Sequence, residues 1–304
     1  MSGGVKTDIF ERLAVFVAGR PRHGVKRYRP FFIVGSGRCG STLLRAILDV
    51  HDQVHIPPEN PLASLIRDYK RYSRLPWSIV LQIVLGHMEF QSPWAEYHPV
   101  SHEMFEELLI SDPSERNLAA VLDALYRASA RRYKPGATRW GDKTPGNTQV
   151  LSDLREIFPD LRVIHMLRDG RDVVESFLRR KTPPTLEAAA RHWLRSVGDA
   201  RHFGAAFPSQ FLEVRYEDLV REPVVAIKGI TKFLDLTFDD RMLRHDRVPR
   251  TADDLHQFRY YENARGPIDV RFIGAAKARL AAAELSRIEQ ILGTELAAAG
   301  YADD

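Results

Sequence analysis

Residues 35–44 read Gly-Ser-Gly-Arg-Cys-Gly-Ser-Thr-Leu-Leu, between the apolar run Phe31, Phe32, Ile33, Val34 and an apolar-periodic stretch. That order is a buried strand, a phosphate-cradling loop and a helix start, which commits the chain to an α/β architecture. Three glycines let the backbone turn tightly and approach a ligand. The N–H groups and the positive end of the following helix favour a phosphate or a sulfate. A Walker A loop needs Gly-Lys-Ser/Thr, with the lysine on the β- and γ-phosphates and the hydroxyl on magnesium. Here Gly40 runs directly into Ser41-Thr42, and the cation comes early, at Arg38. The loop points to a nucleotide user other than an ordinary P-loop NTPase.

Two further β-rich apolar runs, residues 161–167 and 211–216, read as buried parallel strands, each followed by helix-like sequence. Strands alternating with helices predict a parallel central sheet flanked by helices, with ligands at the carboxyl ends of the strands. Helices are expected over residues 76–90, 103–110, 117–133 and 186–206, and one continuous alanine- and leucine-rich helix over 276–296. Asn60 and Pro61 form an expected N-cap and first turn for a helix running toward Lys70. Residues 1–30 read as a basic extension and 31–304 as one domain with helical insertions.

A second anion site is expected after the strand at 161–167. Arg168 stands at its carboxyl end, and Ser176 and Arg180, four apart, are expected on one helix face. Guanidiniums offer paired donors to a phosphate. The competing reading pairs Arg168 with Asp169 or Asp172 and leaves Arg179, Arg180 and Lys181 as a solvated helix end.

Net charge is +4 over 304 residues, which suits an anionic ligand and is too small to imply nucleic acid by itself. The single cysteine, Cys39, excludes an intrachain disulfide and reads as a small loop residue. A reducing cytoplasm is the expected setting. No run approaches the roughly 20 apolar residues of a spanning helix. Residues 8–18 read as a short amphipathic helix followed by Arg20, Arg22, Lys26, Arg27 and Arg29. Peripheral contact with a membrane or polyanion competes there with a packed helix and a solvated linker. His51/His55 and His98/His102 have i, i+4 spacing but no HExxH arrangement, so surface or packing roles are expected and no metal site. Trp77, Phe90, Trp94 and Tyr97 read chiefly as core aromatics of the insertion.

The loop and the Arg168 segment, in this order, resemble the 3′-phosphoadenosine 5′-phosphosulfate (PAPS) dependent sulfotransferases. The run from Arg38 to Asn60 is similar to the branch containing protein-tyrosine sulfotransferases and related bacterial enzymes. The resemblance implies a 5′-phosphosulfate loop of Arg38, Cys39, Gly40, Ser41 and Thr42, and a 3′-phosphate element of Arg168, Ser176 and Arg180. It puts Lys143, in Trp140-Gly141-Asp142-Lys143-Thr144-Pro145, near the transferred group, and Tyr216 near the nucleotide. Gly266-Pro267-Ile268, Ile273-Gly274 and Lys277 resemble a loop closing over the 3′-phosphate. In that branch a glutamate follows the loop arginine by twenty-one residues, here Glu59. The chain departs from the pattern at Pro61, where tyrosine-protein enzymes carry arginine, at Cys39 for serine, and at Arg271-Phe272 where serine is usual.

The resemblance implies in-line transfer of a sulfuryl group from PAPS to an acceptor hydroxyl, releasing adenosine 3′,5′-bisphosphate. Glu59 is the expected base, and Lys143 and Arg38 meet the developing negative charge. A sulfuryl group carries less charge than a γ-phosphoryl, so no metal is expected. The acceptor is a hydroxyl of a glycan, lipid or small metabolite, with peptide tyrosine as the alternative. More remote are a nucleotide kinase, which lacks its lysine here, and a non-enzymatic polyanion-binding module. The Ala-rich tail and the insertions offer a face for a homodimer.

Overall fold

The computed structural model describes residues 28–90, 95–181, 183, 185–249 and 264–301. The expected helix over 8–18, the basic positions up to Arg27 and Trp94 lie outside them. Five strands, β1 (Phe31–Gly35), β2 (Val54–His55), β3 (Arg139–Lys143), β4 (Arg162–Leu167) and β5 (Phe211–Arg215), form one sheet in the order β2-β3-β1-β4-β5. Every neighbouring pair is parallel, with Phe31 opposite both Gly141 and Arg162. The expected parallel sheet with flanking helices is thus present. After β1 the chain moves to one side for β2 and β3, then to the other for β4 and β5. The order reverses at β1, so a crevice opens at its carboxyl end.

Successive β1 side chains enter opposite layers. Phe32 and Val34 pack with Trp140, Val163 and the helices Trp77–Glu89 and Leu118–Tyr133. Phe31 and Ile33 pack with Leu44, Ile47, Ile164 and Met166 beneath helix Ser41–Leu48. A third cluster, around Trp193, Val173 and Leu292, joins helices Gly170–Leu178, Leu186–Ala206 and Ala282–Ala298. Each fully buried large apolar side chain contributes about 1.5–3 kcal/mol of transfer free energy, so these layers hold the rim of the crevice in place.

Two strands escape the apolar-run criterion. β2 has two residues, and β3 reads Arg-Trp-Gly-Asp-Lys, a buried strand whose last two side chains are charged. Asn60 is not a cap. Pro61 takes the N-cap position of helix Leu62–Tyr72, and the Asn147 side chain, from 85 residues away, accepts the Leu62 N–H at 3.1 Å. The tail is two helices, Ala275–Arg279 and Ala282–Ala298. Leu280 and Ala281 are extended between them, and the Glu284 carboxylate accepts the Ala281 N–H. Tyr97 and Trp77 are buried, whereas Phe90 is 82% exposed.

Candidate functional site

Four strand ends supply the rim. β1 leads into residues 36–40, β3 ends on Lys143, β4 is followed by Arg168 and β5 by Tyr216. Within the loop Gly37, Arg38 and Gly40 all have positive φ, at 75°, 57° and 91°. That curls the backbone into a concave run of N–H groups next to the uncapped N-terminus of helix Ser41–Leu48. A Cβ on Gly40 would lie 2.5 Å from Cδ2 of Tyr216, so loop and tyrosine are in closest approach where the glycine stands.

Guanidiniums crowd one side of the crevice. Arg38 Nε donates to Ser176 Oγ at 3.0 Å. Arg168 reaches the Arg38 carbonyl at 3.1 Å, the Phe272 carbonyl at 2.6 Å and Asp172 Oδ2 at 3.4 Å, and its guanidinium lies over the Tyr216 ring at 4.7 Å. Arg168 Nε is buried without a hydrogen-bond partner. Asp172 also accepts the backbone N–H groups of Gly274 (2.9 Å) and Ala276 (2.8 Å), which ties the segment after Ala264 to this side. Burial, then the neighbouring cations Arg180, Arg168 and Arg179, lower the Arg38 guanidinium to about 10. It stays charged at neutral pH, in a cluster that an anion would relieve.

Arg179 and Arg279 also line the crevice, held by the buried Glu175 carboxylate at 2.8 and 3.2 Å. Neither was singled out by sequence. In the sequence Arg179 figures only in the competing reading of a solvated helix end, and Arg279 only as part of the helical tail. Their shared partner Glu175 is the signal that links them, and it appears only in three dimensions.

On the other side, Lys143 is fully buried and its Nζ stands 2.5 Å from Glu59 Oε1 and 3.3 Å from Thr42 Oγ1. Asp142 does not pair with Lys143 through its hydrogen bonds. It accepts from Tyr126 OH (2.7 Å), Thr144 Oγ1 (3.2 Å) and Asn147 Nδ2 (3.0 Å). Burial pushes its carboxyl up to about 7, against these three hydrogen bonds.

The expected residues therefore sort into groups. Arg38, Gly40, Ser41, Thr42, Arg168, Ser176 and Tyr216 line one crevice. Glu59 joins it through Lys143 and Thr42. Cys39 is fully buried behind the loop, where burial raises its thiol, as befits a packing residue. The expectation that Ser176 and Arg180 share a helix face is corrected: helix Gly170–Leu178 ends before Arg180, and Lys181 follows with φ 56°. The Arg180 charge is nonetheless felt at Arg38. Lys277 is exposed and outside the crevice lining, and Arg271 pairs with Asp269 at 3.0 Å. His55 bonds Ser129 Oγ at 2.9 Å and His98 is buried beside Tyr126, both packing roles. Among the described residues, no group of three or more His, Cys, Asp or Glu converges as a metal site. None of their helices is long and apolar enough to cross a membrane.

A model of the sulfotransferase family matches residues 30–240, and the chain belongs to that family. It is 25% identical over 231 residues to a putative protein-tyrosine sulfotransferase of Caenorhabditis briggsae, covering 74% of this chain and 72% of that one. Identity to protein-tyrosine sulfotransferase A of Caenorhabditis elegans is also 25%, over 240 residues, 75% of this chain and 56% of that relative. The sulfotransferase domain of the Synechococcus PCC 7002 olefin synthase shares the fold, with TM-score 0.60 and 21% identity over 89% of this chain and 97% of that domain. The sulfotransferase domain from the curacin biosynthetic pathway matches at 0.57 and 22%, over 88% and 98%.

Proposed function

We propose that this sulfotransferase moves a sulfuryl group from PAPS to an acceptor hydroxyl, with Glu59 as general base. The observation that carries the reading is the chain of contacts Thr42–Lys143–Glu59, at 3.3 and 2.5 Å, which joins the anion loop to a carboxylate. Glu59 is partly exposed while Lys143 is fully buried, so the carboxylate is open to solvent and the cation behind it reaches the crevice lining at Thr42. The acceptor oxygen attacks sulfur as its proton passes to Glu59. The bond from sulfur to the bridging phosphate oxygen breaks, and the electron pair leaves on adenosine 3′,5′-bisphosphate. Lys143, Thr42 and the loop N–H groups meet the charge gathering on the sulfuryl and bridging oxygens.

The cluster of Arg38, Arg168, Arg179 and Arg279 fits the second phosphate of such a donor. Like charges crowded around Arg38, and the unpartnered Arg168 Nε, favour a ligand with two anionic ends over one with a single sulfate. For the acceptor, the hydroxyl of a glycan, lipid or small metabolite is our first reading, because Pro61 stands where tyrosine-protein enzymes carry arginine. Peptide tyrosine is the second reading, favoured by the names of the relatives.

The test has two arms. Adenosine 3′,5′-bisphosphate is expected to stabilise the fold by about 2.7 kcal/mol at a hundredfold excess over Kd, read as a raised unfolding temperature, and ATP with Mg²⁺ much less. Equal shifts would count against the donor assignment. Labelled sulfate transferred from PAPS across glycans, phenols, lipids and tyrosine peptides then identifies the acceptor.

A further inference from the structure

Glu59 sits on an extended segment with no secondary structure of its own, yet the residues just after it are pinned. The Asn60 N–H donates to Thr144 Oγ1 at 2.7 Å, the Asn60 carbonyl accepts from Asn147 Nδ2 at 3.2 Å, and Asn60 Nδ2 donates to Tyr126 OH at 3.2 Å. The Leu62 N–H donates to Asn147 Oδ1 at 3.1 Å. All three of these anchoring side chains, Thr144, Asn147 and Tyr126, donate in turn to one carboxylate, Asp142. Asp142 is fully buried and is the strand neighbour of Lys143, whose ammonium holds the Glu59 head group. One two-residue step of β3 thus fixes both the backbone beside the carboxylate and its charged end.

We infer that Asp142 is a positioning residue for the transfer reaction: through Thr144, Asn147 and Tyr126 it sets the register of residues 59–62 so that Glu59 meets Lys143 beside Thr42. The inference rests on the reading of Glu59 as the base. Its physical basis is that a buried carboxylate with three donors fixes those donors in one arrangement, and each of them has a second bond left for the segment. A buried backbone N–H that loses its acceptor makes the segment move to find another. A base displaced by about 1 Å costs on the order of a hundredfold in rate.

The test uses the full chain carrying Thr144→Val, which keeps the side-chain shape and removes the acceptor of the Asn60 N–H, with Thr144→Ser as the conservative rescue. Asp142→Asn is the direct variant. Turnover is read as labelled sulfate released from PAPS to water, a hydroxyl acceptor always present, and nucleotide binding as the Kd for adenosine 3′,5′-bisphosphate. Thr144→Val is expected to lower turnover by about 10–100-fold while Kd changes less than about threefold, Thr144→Ser restores turnover, and Thr144→Val has no further effect in a Glu59→Gln background. Parallel loss of affinity and turnover, or an equal loss in both backgrounds, overturns the inference. Retained turnover in Glu59→Gln alone removes Glu59 as the base. The positioning claim is then decided by unfolding: additive destabilisation by Thr144→Val and Glu59→Gln overturns it, and coupled destabilisation supports it.

Discussion

Arg38 Nε donates to Ser176 Oγ at 3.0 Å, across 138 residues of chain, and this one bond joins the loop after β1 to the helix after β4. Both ends belong to anion-binding segments, so the bond shapes one site out of two. Ser176→Ala removes the acceptor and lets the guanidinium turn away. Weakening of adenosine 3′,5′-bisphosphate by about five- to tenfold is expected, the worth of one charge-assisted hydrogen bond. Isothermal titration against wild type checks it, and an unchanged Kd would separate Arg38 from the nucleotide.

The sequence showed this site unevenly, and the reasons are physical. Loop glycines and the apolar runs of β1 and β4 announce themselves locally, because turn chemistry and burial act on neighbouring residues, whereas β5, expected as a buried strand, is a half-buried edge strand. β3 does not announce itself, since it ends on two buried polar residues whose cost is met by side-chain hydrogen bonds, Lys143 to Glu59 84 residues away and Asp142 to Tyr126, Thr144 and Asn147. Arg179 and Arg279 were missed for a related reason: only Glu175, buried between them, distinguishes them from surface cations. Lys277, two positions from Arg279, looked the better residue by resemblance, yet only Arg279 lines the crevice.

Glu175 holds Arg179 and Arg279 when no ligand neutralises them, so removing its charge leaves the cluster more strongly cationic. Glu175→Gln is expected to lower the unfolding temperature of the free protein and to enlarge the stabilisation given by adenosine 3′,5′-bisphosphate, because the ligand replaces the lost counter-charge. Thermal scans with and without ligand check this. A ligand-induced shift smaller than wild type would show that Glu175 instead orients the arginines for binding. Arg279→Ala is expected to weaken the same ligand by about tenfold.

Gly40 has φ 91°, and its Cα faces the Tyr216 ring so closely that a methyl group would overlap Cδ2 at 2.5 Å. Gly40→Ala adds both backbone strain and a clash, a destabilisation of about 1–3 kcal/mol. In the double variant with Tyr216→Ala the clash is gone and the strain remains. Urea unfolding of the two single variants and the double should give a cycle with clear non-additivity, and simple addition would assign the whole cost to the backbone.

Burial raises the Asp142 carboxyl from its ordinary value to about 7, so the folded chain holds this proton more tightly than the unfolded chain does. The sign follows by linkage: the contribution is present in full below about pH 4 and is lost as pH rises through about 7. Asp142→Asn removes that dependence. The stability difference between wild type and Asp142→Asn is expected to move against wild type across pH 4 to 7 and to level off above, as read from denaturant midpoints at each pH. Glu213 has the opposite sense. Burial raises it, but hydrogen bonds from His165 and Arg201 outweigh this and hold it at about 2, so its contribution is present above about pH 4.5 and is lost on acidification toward 2. Glu213→Gln therefore separates the two windows.

Glu59 and Lys143 are linked at 2.5 Å, yet their loss should be felt differently. Glu59→Gln keeps a carbonyl oxygen for the Lys143 ammonium and removes the proton acceptor. Nucleotide affinity is expected to hold within about threefold while turnover falls by about 10²–10⁴-fold, the range for loss of a positioned base. Lys143→Met removes the cation facing both Glu59 and Thr42, so a charge stabiliser disappears. A fall of about 10²–10³-fold in turnover is expected, roughly the worth of one preorganised donor in a water-poor site. The two variants are distinguished by their pH profiles. If Glu59 is the base, the acidic limb of the turnover profile vanishes in Glu59→Gln and persists in Lys143→Met. An acidic limb that survives in Glu59→Gln would transfer the proton to another group.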